Sequence, residues 1–216
     1  SSVTSIGEYA FYKCKSLKHI SIPTSVKSIG KYVFSKCYSL KHISIPQYET
    51  SVQQGFFCKC KTLNQISVSS QENDSLGTAS MEISDPLFVQ ITIPSFVKTI
   101  PVDYFKNCRS IEQIIIPPSV TKIGNNAFED CTSLVQIFIP PSVTEIGDNA
   151  FAGCIYLIQA FISSSVTYIG SYAFSRCNSL EHIVMPSYIN EINEGLFYNC
   201  SSLLDIEIPY SVTIIH

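Results

Sequence analysis

The residues with most chemistry to offer are nine cysteines, and eight of them keep one spacing. Cys14, Cys37 and Cys60 stand 23 residues apart; after a gap of 48, Cys108, Cys131, Cys154, Cys177 and Cys200 resume the same step. Thiols can bridge, hold a metal or attack as thiolates. Nine is an odd number, no Cys-x-x-Cys occurs, and Cys58 and Cys60 enclose a single residue, which is not a zinc spacing. Each cysteine of the series lies three residues after an Ala-Phe pair or its equivalent and three before a leucine or its equivalent, so all eight should face one interior. A buried thiol there acts as a small hydrophobe. The expectation is eight inert, reduced thiols, with Cys58, outside the series, as the reactive one. A bridge between neighbouring coils would be strained and gain little.

His19 and His42 repeat at the same step and would stand about 5 Å apart on adjacent coils, but two ligands are too few for a stable metal site. Gly-x-Ser-x-Gly, His-Glu-x-x-His, Gly-x-Gly-x-x-Gly and the phosphate-binding loop are all missing. No metal, cofactor or catalysis is therefore expected. Two glycosylation sequons, Asn73-Asp74-Ser75 and Asn199-Cys200-Ser201, are near chance frequency.

A fixed period of 20 to 30 residues means that the elements positioning these side chains are stacked copies of one supersecondary unit. Written out, the unit is Pro-x-Ser-Val-Thr-x-Ile-Gly-x-x-Ala-Phe-x-x-Cys-x-Ser-Leu-x-x-Ile-x-Ile, nearly intact from Pro117 to Ile139 and again from Pro140 to Ile162. Val120, Ile123, Ala127, Phe128, Leu134, Ile137 and Ile139 illustrate the apolar skeleton. One such unit cannot bury enough surface to offset the entropy of ordering it, so burial must come from stacking.

Leu-x-x-Ile-x-Ile alternates with period two and is β-branched, which predicts a short strand, and the proline that follows ends it. Ser-Val-Thr-x-Ile predicts a second extended piece, and Gly-x-x-Ala-Phe-x-x-Cys a turn followed by about one and a half turns of helix. Nine units are expected, stacked as one domain over residues 1–216. The copy between Cys60 and Cys108 is degenerate, with Asp85 in the cysteine place, Glu82 in the phenylalanine place and two extra residues, but it keeps a strand from Phe88 to Ile93. Residues 69–86 are read as a bulged loop on the convex side. The chain opens inside a repeat at Ser1 and closes after Val212 and Ile215 have begun a tenth, so a fragment without evident caps is expected.

The pattern Leu-x-x-Ile-x-Ile-Pro-x-Ser-Val-Thr-x-Ile-Gly-x-x-Ala-Phe-x-x-Cys-x-Ser resembles the BspA-type leucine-rich repeat over nearly the whole chain, weakening at Gln47–Gln54 and Ser69–Asp85. The resemblance implies an α/β repeat solenoid, a horseshoe with a parallel β-sheet on its concave face and short helices, turns and short extended pieces on its other sides. It further implies protein recognition, with surface adhesion or host interaction as the use known in that family. It names no partner.

Positions that face outward on the strands vary while the skeleton does not, and these would carry recognition. They divide the face into three zones. Lys18, His19, Lys41 and His42 make a basic end beside serines; Ile115, Val135, Phe138, Ile158, Phe161 and Val184 make an apolar centre; Asp205 and Glu207 make an acidic end. Gln113, Gln136 and Gln159 border the apolar centre, and together with Gln65 and Gln90 should bond up the stack through their amides. A contiguous apolar patch with aromatics inside a polar rim is interface chemistry. Phe138 and Phe161 are expected to anchor a protein partner; the alternative is a structural, self-assembling scaffold in which a second copy of this chain takes that place.

The chain is 45% hydrophobic and 14% charged with a net charge of −3, and its 14 basic residues are read as spread along the chain, so no nucleic-acid partner is expected. No apolar run approaches 18 residues, so no membrane span is expected. The compartment stays open: buried free thiols suit the cytoplasm, while the resemblance suits the cell surface.

Overall fold

The computed structural model describes residues 3–46, 53–69 and 89–216. The predicted Leu-x-x-Ile-x-Ile strand forms in every described coil but the last, where residues 203–208 make no strand, and equivalent strands stack in parallel without slippage. His19–Ser21, His42–Pro46 and Gln65–Ser69 form one sheet, with Ile20 opposite Ile43 and Ile43 opposite Ile66. Gln90–Thr92, Gln113–Ile115, Gln136–Ile139, Gln159–Ile162 and His182–Ile183 form a second, with Ile91, Ile114, Ile137, Ala160 and Ile183 in one inward row. One residue of slip would turn every isoleucine to solvent, so the alternation itself fixes the register.

The second extended piece forms as well. Thr99–Ile100, Lys122–Ile123, Glu145–Ile146 and Tyr168–Ile169 build a lateral ladder, and Ser5–Ile6 pairs with Ser28–Ile29. The chain is thus a parallel-strand solenoid of about eight turns, with one continuous core of the predicted valines, isoleucines, leucines and phenylalanines running along its axis.

The helix predicted before each cysteine is not there: among the described residues no helix is found. Two backbone positions per coil, five residues and one residue before the cysteine, have positive φ, as at Asn126 (55°) and Asp130 (56°) or Asn149 (52°) and Gly153 (72°). A left-handed residue ends a right-handed helix, and Asn, Asp and Gly take that conformation at least cost. The amide hydrogen bonds follow suit. Asn126, Phe128 and Asp130 donate to Asp148, Ala150 and Ala152 of the next coil at 2.8 Å each, while the residues between donate three positions back within their own coil. This arc is therefore a third inter-coil ladder. Apolar periodicity alone cannot distinguish it from a short helix, because it too faces Ala, Phe and Cys inward.

Ring stacking lines the arc. Phe105, Phe128, Phe151 and Phe174 lie in near-parallel succession with centroids 5.1 to 5.6 Å apart.

The irregular copy departs from the expectation of nine units. On the arc side the Cys60 coil bonds directly to the Cys108 coil: Gly55 donates to the Val102 carbonyl at 2.9 Å, Phe57 to Tyr104 at 3.0 Å and Lys59 to Lys106 at 2.6 Å. On the strand side, both Gln65–Ser69 and Gln90–Thr92 lie between the neighbouring regular strands, and they are not paired to each other. The described residues thus give eight arc rungs. Asp85, Glu82, Asn73 and the start of the strand at Phe88 lie outside the described residues, as does nearly all of the expected bulged loop over 69–86.

Candidate functional site

The thiols resolve first. Cys131 donates its S–H to the Phe105 carbonyl of the preceding coil at 3.2 Å, and Cys37, Cys60, Cys108, Cys154, Cys177 and Cys200 do the same to the phenylalanine of their preceding coil at 3.0 to 3.3 Å. A serine would supply the same donor but at the cost of a more polar group in the core; alanine would supply none. All nine cysteines are free. Burial pushes the thiols of Cys60, Cys108, Cys131, Cys154 and Cys177 well above the ordinary range. Cys58 does not fit the reactive role expected of it: it too is buried, and burial raises its thiol, the reverse of what activates a thiolate. Cys14, in the first coil, is exposed and Cys200 half-buried.

His19 and His42 meet edge to face, with ring centroids 6.2 Å apart, and His42 Nε2 is hydrogen-bonded to Ser67 Oγ at 3.0 Å. Among the described residues no group of three or more His, Cys, Asp or Glu side chains is placed to hold a metal ion.

The outward positions of the strand face lie as the alternation requires. Phe138 stands opposite Phe161 in register, ring centroids 6.4 Å apart and tilted, with 61% and 41% of their surfaces exposed. Ile115, Ile158 and Val184 are exposed around them, Val184 to 75%, while Val135 is half-buried. Successive coils join these residues laterally: Ile158 donates its amide to the Val135 carbonyl at 2.9 Å, and Val135 donates to Glu112 at 3.0 Å. The rings are displaced from full stacking, so each keeps a free face.

The glutamine row is only partly knitted. Gln90 Nε2 donates to Gln113 Oε1 at 3.2 Å, while Gln136 and Gln159 make no such bond among the described residues. Gln136 and Gln159 stand in register and exposed, and Gln113 is half-buried. Their unspent donors and acceptors form a polar border to the apolar patch. At the acidic end, His182 Nδ1 lies 3.4 Å from Asp205 Oδ1.

The sequence reading placed Lys18, His19, Lys41 and His42 at a basic end but did not carry the pattern to the other lysines of these coils. Residues 1–61 hold nine lysines and no arginine against two acids, Glu8 and Glu49. The remaining 155 residues hold five basic and fifteen acidic side chains. The signal was present as a repeated Lys-Cys-(Lys/Tyr)-Ser-Leu-Lys-His at 13–19 and 36–42, echoed by Lys-Cys-Lys at 59–61.

The BspA-type leucine rich repeat region, in six copies, matches residues 1–111 and 98–216. Among solved structures, a leucine rich repeat protein of T. pallidum is 28% identical, with a TM-score of 0.64 over 82% of this chain and 72% of that one. A leucine-rich repeat protein of Eubacterium ventriosum is 23% identical, with a TM-score of 0.50 over 100% of this chain and 79% of the other, a likeness of fold. A leucine rich cell surface protein of Faecalibacterium prausnitzii is 26% identical, with a TM-score of 0.41 over 99% and 73%. A search of the curated proteins finds no match.

Proposed function

Because the chain belongs to the BspA-type leucine-rich repeat family, we propose that it is a protein-recognition module that binds a protein partner through the centre of its strand face. The observation behind this reading is the exposed Phe138 and Phe161 pair, flanked by Ile115, Ile158 and Val184, with Val135 beneath and Gln113, Gln136 and Gln159 along one border. Monomers rarely leave so contiguous an apolar patch in water, and a desolvated aromatic cluster inside a polar rim is where binding energy concentrates. Parallel strands hold the patch rigid, so little ordering entropy is lost on binding. Adhesion to a host or cell surface is the setting proposed, on the family's account.

The test is capture of partners from cell-surface and matrix extracts by the wild type beside Phe138→Asp/Phe161→Asp. Two aromatic anchors contribute on the order of 2 kcal/mol each, so the double variant should lose at least about a hundredfold in affinity. Light scattering across a concentration series runs in parallel. A partner retained by the double variant removes the proposed surface, and an oligomer that dissolves in the variant replaces the foreign partner with a second copy of this chain.

A further inference from the structure

The first three coils carry a second surface, away from the aromatic patch and of different chemistry. Lys13, Lys36 and Lys59 occupy the place one residue before the cysteine on three successive coils, as the amide bonds Lys13 to Ser35 and Lys36 to Cys58 show. Lys15 and Lys61 follow the cysteine by one residue, and Lys18 and Lys41 by four, with Lys41 donating its amide to the Lys18 carbonyl at 2.9 Å. Rungs about 4.8 Å apart thus bring seven ammonium groups onto one flank, where the arc runs into the strand. No acid interrupts residues 13–19, 36–42 or 59–65. Among the described residues none of the seven forms an ion pair, whereas in later coils Lys106 pairs with Glu129 at 2.6 Å and Arg176 with Asp130 at 3.6 Å.

The backbone adds an independent observation. Lys13, Lys36 and Lys59 sit at φ of 62° to 64°, a conformation that a lysine adopts at a cost. The same place is Asn107, Asp130, Gly153 and Asn199 in later coils, residues that adopt it readily, and Arg176 in one, where the side chain is paired with Asp130. Three successive coils therefore hold like charges close together on a backbone that prefers another residue. Costs kept in place at one locus point to a ligand that repays them.

We infer that this flank binds a linear sulfated polysaccharide. Anionic groups repeated along a chain match cations repeated along a stack, and release of condensed counterions drives such binding. The set is all lysine, a point charge that accepts sulfate from any direction; arginine, the planar fork suited to phosphate and base edges, is absent from these coils. Two tyrosines of the flank are already engaged by its lysines, Lys13 and Lys36 lying over Tyr12 at 5.2 and 5.1 Å and Lys61 over Tyr38 at 5.1 Å, which disfavours base stacking there.

The experiment measures binding of heparin, of single-stranded DNA and of phosphatidylserine vesicles at 50 and 200 mM salt. It uses the wild type, the triple variant Lys13→Asn/Lys36→Asn/Lys59→Asn, and Phe138→Asp/Phe161→Asp. Asparagine already fills the equivalent place in other coils, so the triple variant should fold; Lys15→Gln/Lys18→Gln/Lys61→Gln, on exposed positions, repeats the test without touching that backbone. The expected result is heparin binding that weakens at least tenfold between the two salts, falls at least tenfold in either lysine variant and is unchanged in the phenylalanine variant. Absence of heparin binding at 50 mM salt, binding that survives both lysine variants, or tighter binding of DNA or vesicles than of heparin would each overturn the assignment. Loss in the phenylalanine variant would instead fold this surface into the aromatic one.

Discussion

The thiol ladder makes the protein sensitive to alkali, and the size of the effect follows from burial. Cys60, Cys108, Cys131, Cys154 and Cys177 are wholly buried, each with its S–H given to a carbonyl, and their folded-state pKa values are raised by burial. In the unfolded chain a thiol ionises near pH 8.5. Above that pH the unfolded state releases protons that the folded state keeps, so stability is fully present below about pH 8.5 and falls as pH rises. At pH 10 each such thiol costs about 2 kcal/mol, and five together cost about 10 kcal/mol, comparable to the whole stability of a domain. The perturbation that isolates one of them is Cys131→Ala. At pH 7 it removes a thiol contact and leaves a small void, a loss of about 1 to 2 kcal/mol. At pH 10 the wild type alone carries that residue's ionisation cost, so the variant should equal or surpass it. Urea unfolding followed by far-ultraviolet circular dichroism, with reductant present, at pH 7, 9 and 10 reads both differences. A wild type equally stable at pH 7 and 10, or a variant whose deficit is the same at both, would refute the reasoning.

Tyr104 is fully buried against Phe56, Phe57 and Phe105 with a hydroxyl that finds no partner. Tyr104→Phe should therefore stabilise by about 1 kcal/mol, seen as a rise in Tm of about 2 to 4 °C; a fall would mean that the hydroxyl is satisfied. Gly55 has φ of 64° and a Cβ there would run into the Tyr32 ring, so Gly55→Ala should destabilise by about 2 kcal/mol or more, while Gly7→Ala, with open space around it, should change little. Equal effects of the two in a denaturant titration would discount the steric argument. Tyr32, its hydroxyl given to Asp103 at 3.1 Å, is pushed up to about 12 chiefly by burial, so its contribution is present below pH 10 and lost as pH rises through 12; Tyr32→Phe should flatten the top of the alkaline profile.

Most of the architecture was legible because it depends on side-chain periodicity. The Leu-x-x-Ile-x-Ile strands formed as read in all described coils but the last, as did the Thr-x-Ile ladder; Pro140 ends its coil's strand at Ile139, whereas the strand from His42 includes Pro46. The arc was misread because a helix and a ladder of alternating forward bonds both turn Ala127, Phe128 and Cys131 inward; the Asn, Asp and Gly five and one places before the cysteine mark the difference in the central coils, while Tyr with Lys or Arg in the same places of the Cys14, Cys37 and Cys177 coils hides it. Phe138 and Phe161 were legible as outward residues, since strand alternation leaves them nowhere else. The glutamine ladder was overread: register brings the amides level, but rotamers decide whether they meet, as Gln90 and Gln113 do. The lysine flank was read only in part, from Lys18 and Lys41 on the strands; Lys13, Lys15, Lys36, Lys59 and Lys61 were missed because the basic residues were counted over the chain rather than by coil.

The strand between Gln65–Ser69 and Gln113–Ile115 has no described counterpart on the arc, where Phe57 and Tyr104 are already joined. The strand ladder is therefore interrupted between Gln65–Ser69 and Gln90–Thr92 while the arc ladder runs on unbroken. The break parts the lysine coils on one side from the phenylalanine pair on the other, so one stack presents two surfaces of different chemistry that no single run of paired strands joins.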